Sequence, residues 1–332
     1  MRKLLYIALF ATLIFAGCTS EGIPGEQKED KNIEICLSIS DFKVSTLSRS
    51  TSATQAGSEV EQEIINLYLF LFDNGGAVKK YNVTSPAFTD GIWNATDAKV
   101  TLNLTQMSAA TRNVYVVANY PASMLDALND VTTITGLQAV VHNEDTPWST
   151  TLNTPILMTG SVIDHNFITD RQLNNVPLTR AVAKLELNIK LKEERQSTPT
   201  ILEGIPGSGN QTTVHQYGYQ FVDFDKNTFA FKQDPKNNDL VSFSDWVNFT
   251  GTSGDVSSYT LTDGVVTDLK ITTYLNERDE VDATSSRTSI ELMLPYNSGG
   301  PLPPPEFGDE IYKLSLPTTI ERNTWYVYDI EI

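Results

Sequence analysis

The chain has 332 residues, 40% of them hydrophobic and 20% charged, with a formal net charge of -17. That length exceeds what a single core usually serves, so two domains are expected, and the ordinary composition excludes a chain too polar to fold. The acidic balance excludes nucleic acid as a partner, and any broad electrostatic grip on anionic lipid, because like charges repel.

Residues 1–17 read as a processing segment. Arg2 and Lys3 give a positive start, Leu4 to Phe15 form an apolar core, and small residues precede Cys18. The apolar stretch is shorter than the roughly 20 residues of a membrane span. Phe15-Ala16-Gly17-Cys18 resembles a bacterial lipobox, although Leu is commoner at the place of Phe15. That resemblance implies a mature chain that begins at an acylated Cys18 and is held in the outer membrane by several acyl chains. Cys36 is the only other cysteine, so acylation leaves no pair for a disulfide within the chain. It is expected as a small buried side chain. Residues 18–32 are polar, contain Gly and Pro, and read as a flexible lipidated tether.

From Ile33 the pattern becomes that of a strand. Ile33, Ile35, Leu37 and Ile39 alternate with Glu34, Cys36, Ser38 and Ser40, the signature of one buried face. Ser45 to Glu59 is rich in Ser and Thr, includes Arg49, and reads as a long exposed loop open to proteases. Ile64 to Phe72 is a nearly unbroken apolar run ended by Asp73-Asn74-Gly75-Gly76, which predicts a strand buried on both faces. Lys99–Leu104 and Arg112–Asn119 read as strands, residues 122–142 as a short helical excursion, and Ile156–Met158 as a short strand. In Ala181 to Leu191, Leu185, Leu187, Ile189 and Leu191 form a one-face stripe at strand period. Shorter strands are expected near 217–223, 259–261, 265–274 and 289–294, with a closing strand over Trp325–Ile332. Many short strands between Gly, Asn, Asp and Pro turns predict an all-β architecture of two sandwiches. The expected division is a signal peptide over 1–17, the tether over 18–32, and domains over 33–175 and 176–332.

The sequence offers little chemistry. His142, His165 and His215 lie in separate polar segments without metal-ligand spacing, and are expected as solvated loop residues. There is no nucleophile elbow and no phosphate-binding loop; Gly204 to Gly209 lacks the lysine and following helix that such a loop requires. The acid pairs Asp223/Asp225, Glu277/Asp279 and Glu280/Asp282 are what chance supplies among 41 acidic residues. Trp93, Trp148, Trp246 and Trp325 are expected to pack at core or rim. The reading is of a protein that is not an enzyme and needs no metal or cofactor.

Several segments resemble the fimbrillin family of lipoprotein pilins. They are Ile65–Gly75, Gly91-Ile92-Trp93, Val114–Asn119, Pro147–Thr150, Asn175–Ile189, Thr273–Asp279, Leu302–Gly308 and Arg322–Ile332. The family implies two transthyretin-like β-sandwich domains in tandem and assembly by strand exchange. In its stalk members an Arg-specific protease cuts the loop after the first strand, and a neighbour's extra strand fills the vacated groove. By that resemblance Ile33, Ile35, Leu37 and Ile39 are the groove-filling side chains, and Arg49 stands where such a cut would fall. Nothing follows the strand ending at Ile332, where stalk pilins continue into a donor extension. The expectation is therefore a structural subunit anchoring the fimbrial base to the outer membrane through Cys18 and limiting fimbrial length. Its partner would be the stalk subunit, the major pilin of the same fimbria. The alternatives are a tip or adhesin subunit of the family, or a surface glycan-binding lipoprotein.

Overall fold

The computed structural model describes residues 30–46, 49–143, 154–204, 211–234, 239–242, 245–251, 256–279, 287–297 and 307–332. Cys18, the tether up to residue 29, Trp148 and Glu280/Asp282 lie outside them.

The first half of the chain is built on β1 (Asn32–Ile39), β2 (Phe42–Thr46), β3 (Arg49–Gln55), β4 (Leu67–Phe72), β5 (Val78–Asn82) and β6 (Gly91–Asn94). These are followed by β7 (Lys99–Thr105), β8 (Thr111–Ala118), β9 (Val141–Asn143), β10 (Met158–Asn166), β11 (Gln172–Arg180) and β12 (Val182–Lys190). One sheet runs β5-β4-β8-β10-β11-β1-β7-β6. Its middle seam is narrow: β10 and β11 share only the pairs Met158↔Arg180 and Thr159↔Thr179. The leaves on either side of that seam close over one core that includes Ile33, Leu69, Val100, Val116 and Leu178.

β4 shows why its sequence lacks alternation. Leu67, Leu69 and Leu71 enter this core, whereas Tyr68, Phe70 and Phe72 pack beneath Met124, Leu128 and Leu137 of the helical stretch. The short helices Leu125–Asp130 and Ile134–Gln138 supply that cover. A strand covered on both faces needs no polar side, so a continuous apolar run is what it requires.

The second half forms a two-sheet sandwich. One sheet runs Ser257–Thr262, Val265–Asn276, β12, Thr324–Glu331, β2 and β3; the other runs Val247–Asn248, Gly218–Val222, Ser289–Asn297 and Phe307–Ser315. The β12 stripe of Leu185, Leu187 and Ile189 faces Phe221, Ile290 and Leu292 across the core. The architecture is all-β and sandwich-like, as the periodicity predicts.

Residues 49–55 are a strand rather than a loop: β3 pairs with β2 through Phe42↔Gln55, Ser45↔Ser50 and Thr46↔Arg49. Ser and Thr suit such a place, because an edge strand needs no apolar face and few cross-strand neighbours. β2 also crosses to the second half. It runs parallel to Thr324–Glu331 from Lys43↔Thr324 to Thr46↔Val327, while β1, two residues earlier, belongs to the first half. The expected division at 175/176 falls inside β11, whose pairing with β1 continues to Ile39↔Leu178.

Candidate assembly site along the N-terminal segment

β1 sits in a groove with hydrogen-bonded neighbours on both sides. It is parallel to β11 and antiparallel to β7, where Ile35 lies opposite Val100 and Asn32 opposite Thr105. Ile33 and Ile35 are fully buried and Leu37 is 7% exposed, while Ile39 packs partly buried against the same core. Each fully buried aliphatic side chain is worth about 1.5–3 kcal/mol. On the outer face, Glu34 meets Arg171 at 2.7 Å and Lys99 at 3.6 Å. Burial works to raise its carboxyl, but the two cations hold it below the usual carboxylate range. Cys36 is buried on this face, as expected of it.

The chain then crosses at Ser40-Asp41 into a buried polar latch. Arg180 is fully buried, with its guanidinium 4.1 Å from the centre of the Phe42 ring. Its Nη1 donates to the Ser40 carbonyl (2.7 Å) and to Asn323 Oδ1 (3.1 Å), and its Nε donates to the Glu61 carbonyl (3.1 Å). Asn323 in turn donates through Nδ2 to the Asp41 carbonyl at 2.7 Å. Gly57 presses on this group: a Cβ there would lie 2.6 Å from Arg180 Nη2, an atom with no hydrogen-bond partner among the described residues.

Glu61, 1% exposed, is the counter-charge. Its Oε1 accepts from Lys184 Nζ (2.9 Å) and the Tyr274 hydroxyl (2.7 Å), and its Oε2 accepts from the Ser58 amide (2.7 Å). Burial pushes its carboxyl up, yet Lys184, Tyr274 and Ser58 together hold it below the usual range. Burial and the Glu61 charge push the Tyr274 hydroxyl far up, so it stays a donor. Lys184 Nζ also lies 4.2 Å over Trp325, which meets Phe42 edge-on at 6.1 Å. Residues 40–46 and 57–61 are thereby bound to β11, to β12, to Tyr274 and to one edge of the closing strand.

Sequence reasoning did not single out this latch. Its only local signal is a pair of cations, Arg180 and Lys184, four residues apart where β11 meets β12. The candidates it did name are scattered. Arg49 begins β3, opposite Thr46, and Cys18 lies outside the described residues. The histidines are not loop residues: His142 is in β9, His165 is next to last in β10, and His215 lies in the strand Gln211–Gln216. His215 is buried, with Nδ1 3.0 Å from Asp309 Oδ2. Among the described residues no group of three or more His, Cys, Asp or Glu is placed to hold a metal ion. Trp325 belongs to the latch and Trp93 packs against the first core. Of the acid pairs, Glu277 is ion-paired with Arg322, and Asp225 is buried. The site is thus made of backbone edges, apolar side chains and buried charges that bond chiefly to backbone carbonyls and to one another, which suits it to holding a chain segment.

A family model described as the C-terminal region of the minor fimbrium tip subunit MfA4 matches residues 181–331. The minor fimbrium tip subunit MfA4 of Porphyromonas gingivalis is 40% identical over 349 aligned positions, covering 100% of both chains. Among solved structures, one described as a cell adhesion protein from Bacteroides eggerthii matches with a TM-score of 0.53 and 18% identity, over 93% of this chain and 89% of that one. That likeness shows a shared fold. With two-fifths of its residues shared along its whole length, the chain belongs to the MfA4 family of minor fimbrial subunits.

Proposed function

We propose that this protein is a tip subunit of a surface fimbria, a structural component joined to its neighbour by a strand that takes the place of β1. The observation that carries the reading is the full-length relationship to a tip subunit. The fold supports it in two ways. β1 occupies a groove edged by β11 and β7, where an extended segment of alternating aliphatic residues finds hydrogen bonds on both sides. The strand Thr324–Glu331, by contrast, is already paired with β12 and β2, so it is committed to its own sandwich. A subunit of this kind receives a strand in the β1 groove. A cut after Arg49 would free β1 and β2 together and open the groove. The neighbour is then another subunit of the same fimbria, the stalk pilin being the first candidate, and Cys18 carries the lipid that delivers the precursor to the outer membrane. The role asks for no catalytic group. Gold labelling of an epitope-tagged chain on intact fimbriae tests the reading: label at the distal end is expected, and label confined to the cell-proximal base would reject it.

A second reading keeps the chain whole as the base anchor, with the lipid on Cys18 fastening the fimbria to the membrane. What favours it is the unbroken path from β1 into β2 and the latch, which would transmit tension from the tether into both halves. Deletion of the gene separates the two: an anchor's loss releases fimbriae of altered length into the medium, whereas a tip subunit's loss leaves them cell-bound.

A further inference from the structure

The second half reaches onto the first through a strap, residues 227–233. Asn227–Phe229 pairs antiparallel with β9, placing Thr228 opposite His142. The Ala230 amide donates to the Val140 carbonyl (2.9 Å), and the Ala230 carbonyl accepts from the Thr159 hydroxyl (2.7 Å) and from Arg322 (3.0 Å). Ala230 is fully buried beside Leu128 and Leu137, and the Phe231 ring stands edge-on to Tyr115 at 5.5 Å.

One carboxylate holds the root of this strap. Asp225, 3% exposed, accepts the Asn227 amide on Oδ1 (2.8 Å) and the Asp239 amide on Oδ2 (3.1 Å). Its own carbonyl accepts from Asn276 Nδ2 at 2.9 Å, and Asn276 Oδ1 accepts from the hydroxyl of strap residue Thr228 at 2.6 Å. No ion pair among the described residues includes Asp225. We propose that Asp225 makes the strap a pH-responsive clasp between the two halves, tighter in mildly acidic surroundings and looser above neutrality.

A carboxylate buried beside another carboxylate gains by taking up a proton. Burial pushes Asp225 up to about 7; Asp239 adds to the rise, while the two amides and Arg278 oppose it. Its folded pKa thus lies above that of an undocked, hydrated aspartate. The stabilising contribution is complete below the ordinary aspartate value of about 4 and is lost as pH rises through about 7. The other charged groups facing the strap are accounted for. Asp239 is 3.2 Å from Lys226, Lys232 on the strap is 3.5 Å from Glu321, and Glu277 and Arg322 neutralise each other at its far side. Arg278 donates to the Asp223 carbonyl (2.8 Å). His142, with Nδ1 2.8 Å from the Ser123 hydroxyl, is the titratable side chain on the partner strand.

Hydrogen exchange of residues 224–233 in the full chain tests the clasp. It is measured at pH 6 and pH 8, corrected for the chemical exchange rate, in the wild type, Asp225→Asn and His142→Gln. Protection in the wild type and in His142→Gln should fall about tenfold between the two pH values, the ratio set by a group titrating near 7, and should stay level in Asp225→Asn. An equal fall in Asp225→Asn, or a fall abolished by His142→Gln, overturns the proposal. Should Asp225→Asn not fold, Asp239→Asn serves instead. Removing the neighbouring charge must shift the fall to lower pH, and an unmoved fall overturns the proposal equally.

Discussion

β1 and the β2–β3 hairpin are consecutive pieces of one segment, yet the two halves of the molecule hold them differently. β1 is an interior strand, bonded on both edges, with Ile33 and Ile35 wholly inside the first core. The hairpin forms the rim of the other sheet, with β3 outermost and Thr54 exposed. Between them, Ser40, Asp41 and Phe42 are pinned by Arg180 and Asn323. The difference teaches where the binding free energy of the segment resides. Hydrophobic burial holds β1, buried polar contacts and the wholly buried Phe42 ring hold the crossing, and β3 is held by its backbone pairing with β2. A strand that replaced this segment would need aliphatic side chains at the places of Ile33, Ile35 and Leu37 before anything else.

Substitutions should rank in that order. Ile35→Asp, which puts an unpaired charge into the first core, should destabilise the protein by more than about 4 kcal/mol in a denaturant titration. A loss under 1 kcal/mol would show that β1 is not held as described. Glu61→Ala strands Lys184 and removes an acceptor from Tyr274 and Ser58, so a loss of about 3–5 kcal/mol is expected. Gly57→Ala drives a methyl group against a pinned guanidinium, and about 1–3 kcal/mol should follow from overpacking. Thr54→Ala on the rim should stay within about 0.5 kcal/mol.

Acid sharpens the same contrast. Glu34 on β1 and Glu61 in the latch both have folded pKa values depressed below the ordinary 4.5. Their contribution is therefore present above that value and lost as pH falls through the depressed folded values. Unfolding midpoints followed from pH 6 to pH 2 should drop in the wild type. Glu61→Gln should flatten the drop more than Glu34→Gln, because Glu61 is the more deeply buried of the two. The reverse order would place the more important charge on β1.

Much of this fold is legible in the residues, for reasons that can be named. β1 and β12 bury one face, and strict alternation reports it. β4 buries two faces, and its unbroken run reports that as well. The hairpin escapes notice because Ser and Thr serve equally in loops and in rim strands. The latch escapes because its bonds join residues far apart in sequence: Ser40 and Asp41 reach Arg180 and Asn323, and the parallel pairing of Lys43 with Thr324 leaves no local pattern. The strap is hidden for a similar reason. Ala230 is buried only because β9 and Thr159 come to meet it.

What lies in the β1 groove once the protein is part of a fimbria decides between the tip and the anchor. Mass analysis of the subunit taken from intact, purified fimbriae reads this directly. The tip reading predicts a chain beginning at Ser50, without residues 18–49 and with a neighbour's segment protected in the groove. A chain beginning at lipidated Cys18, with β1 still in place, would contradict it.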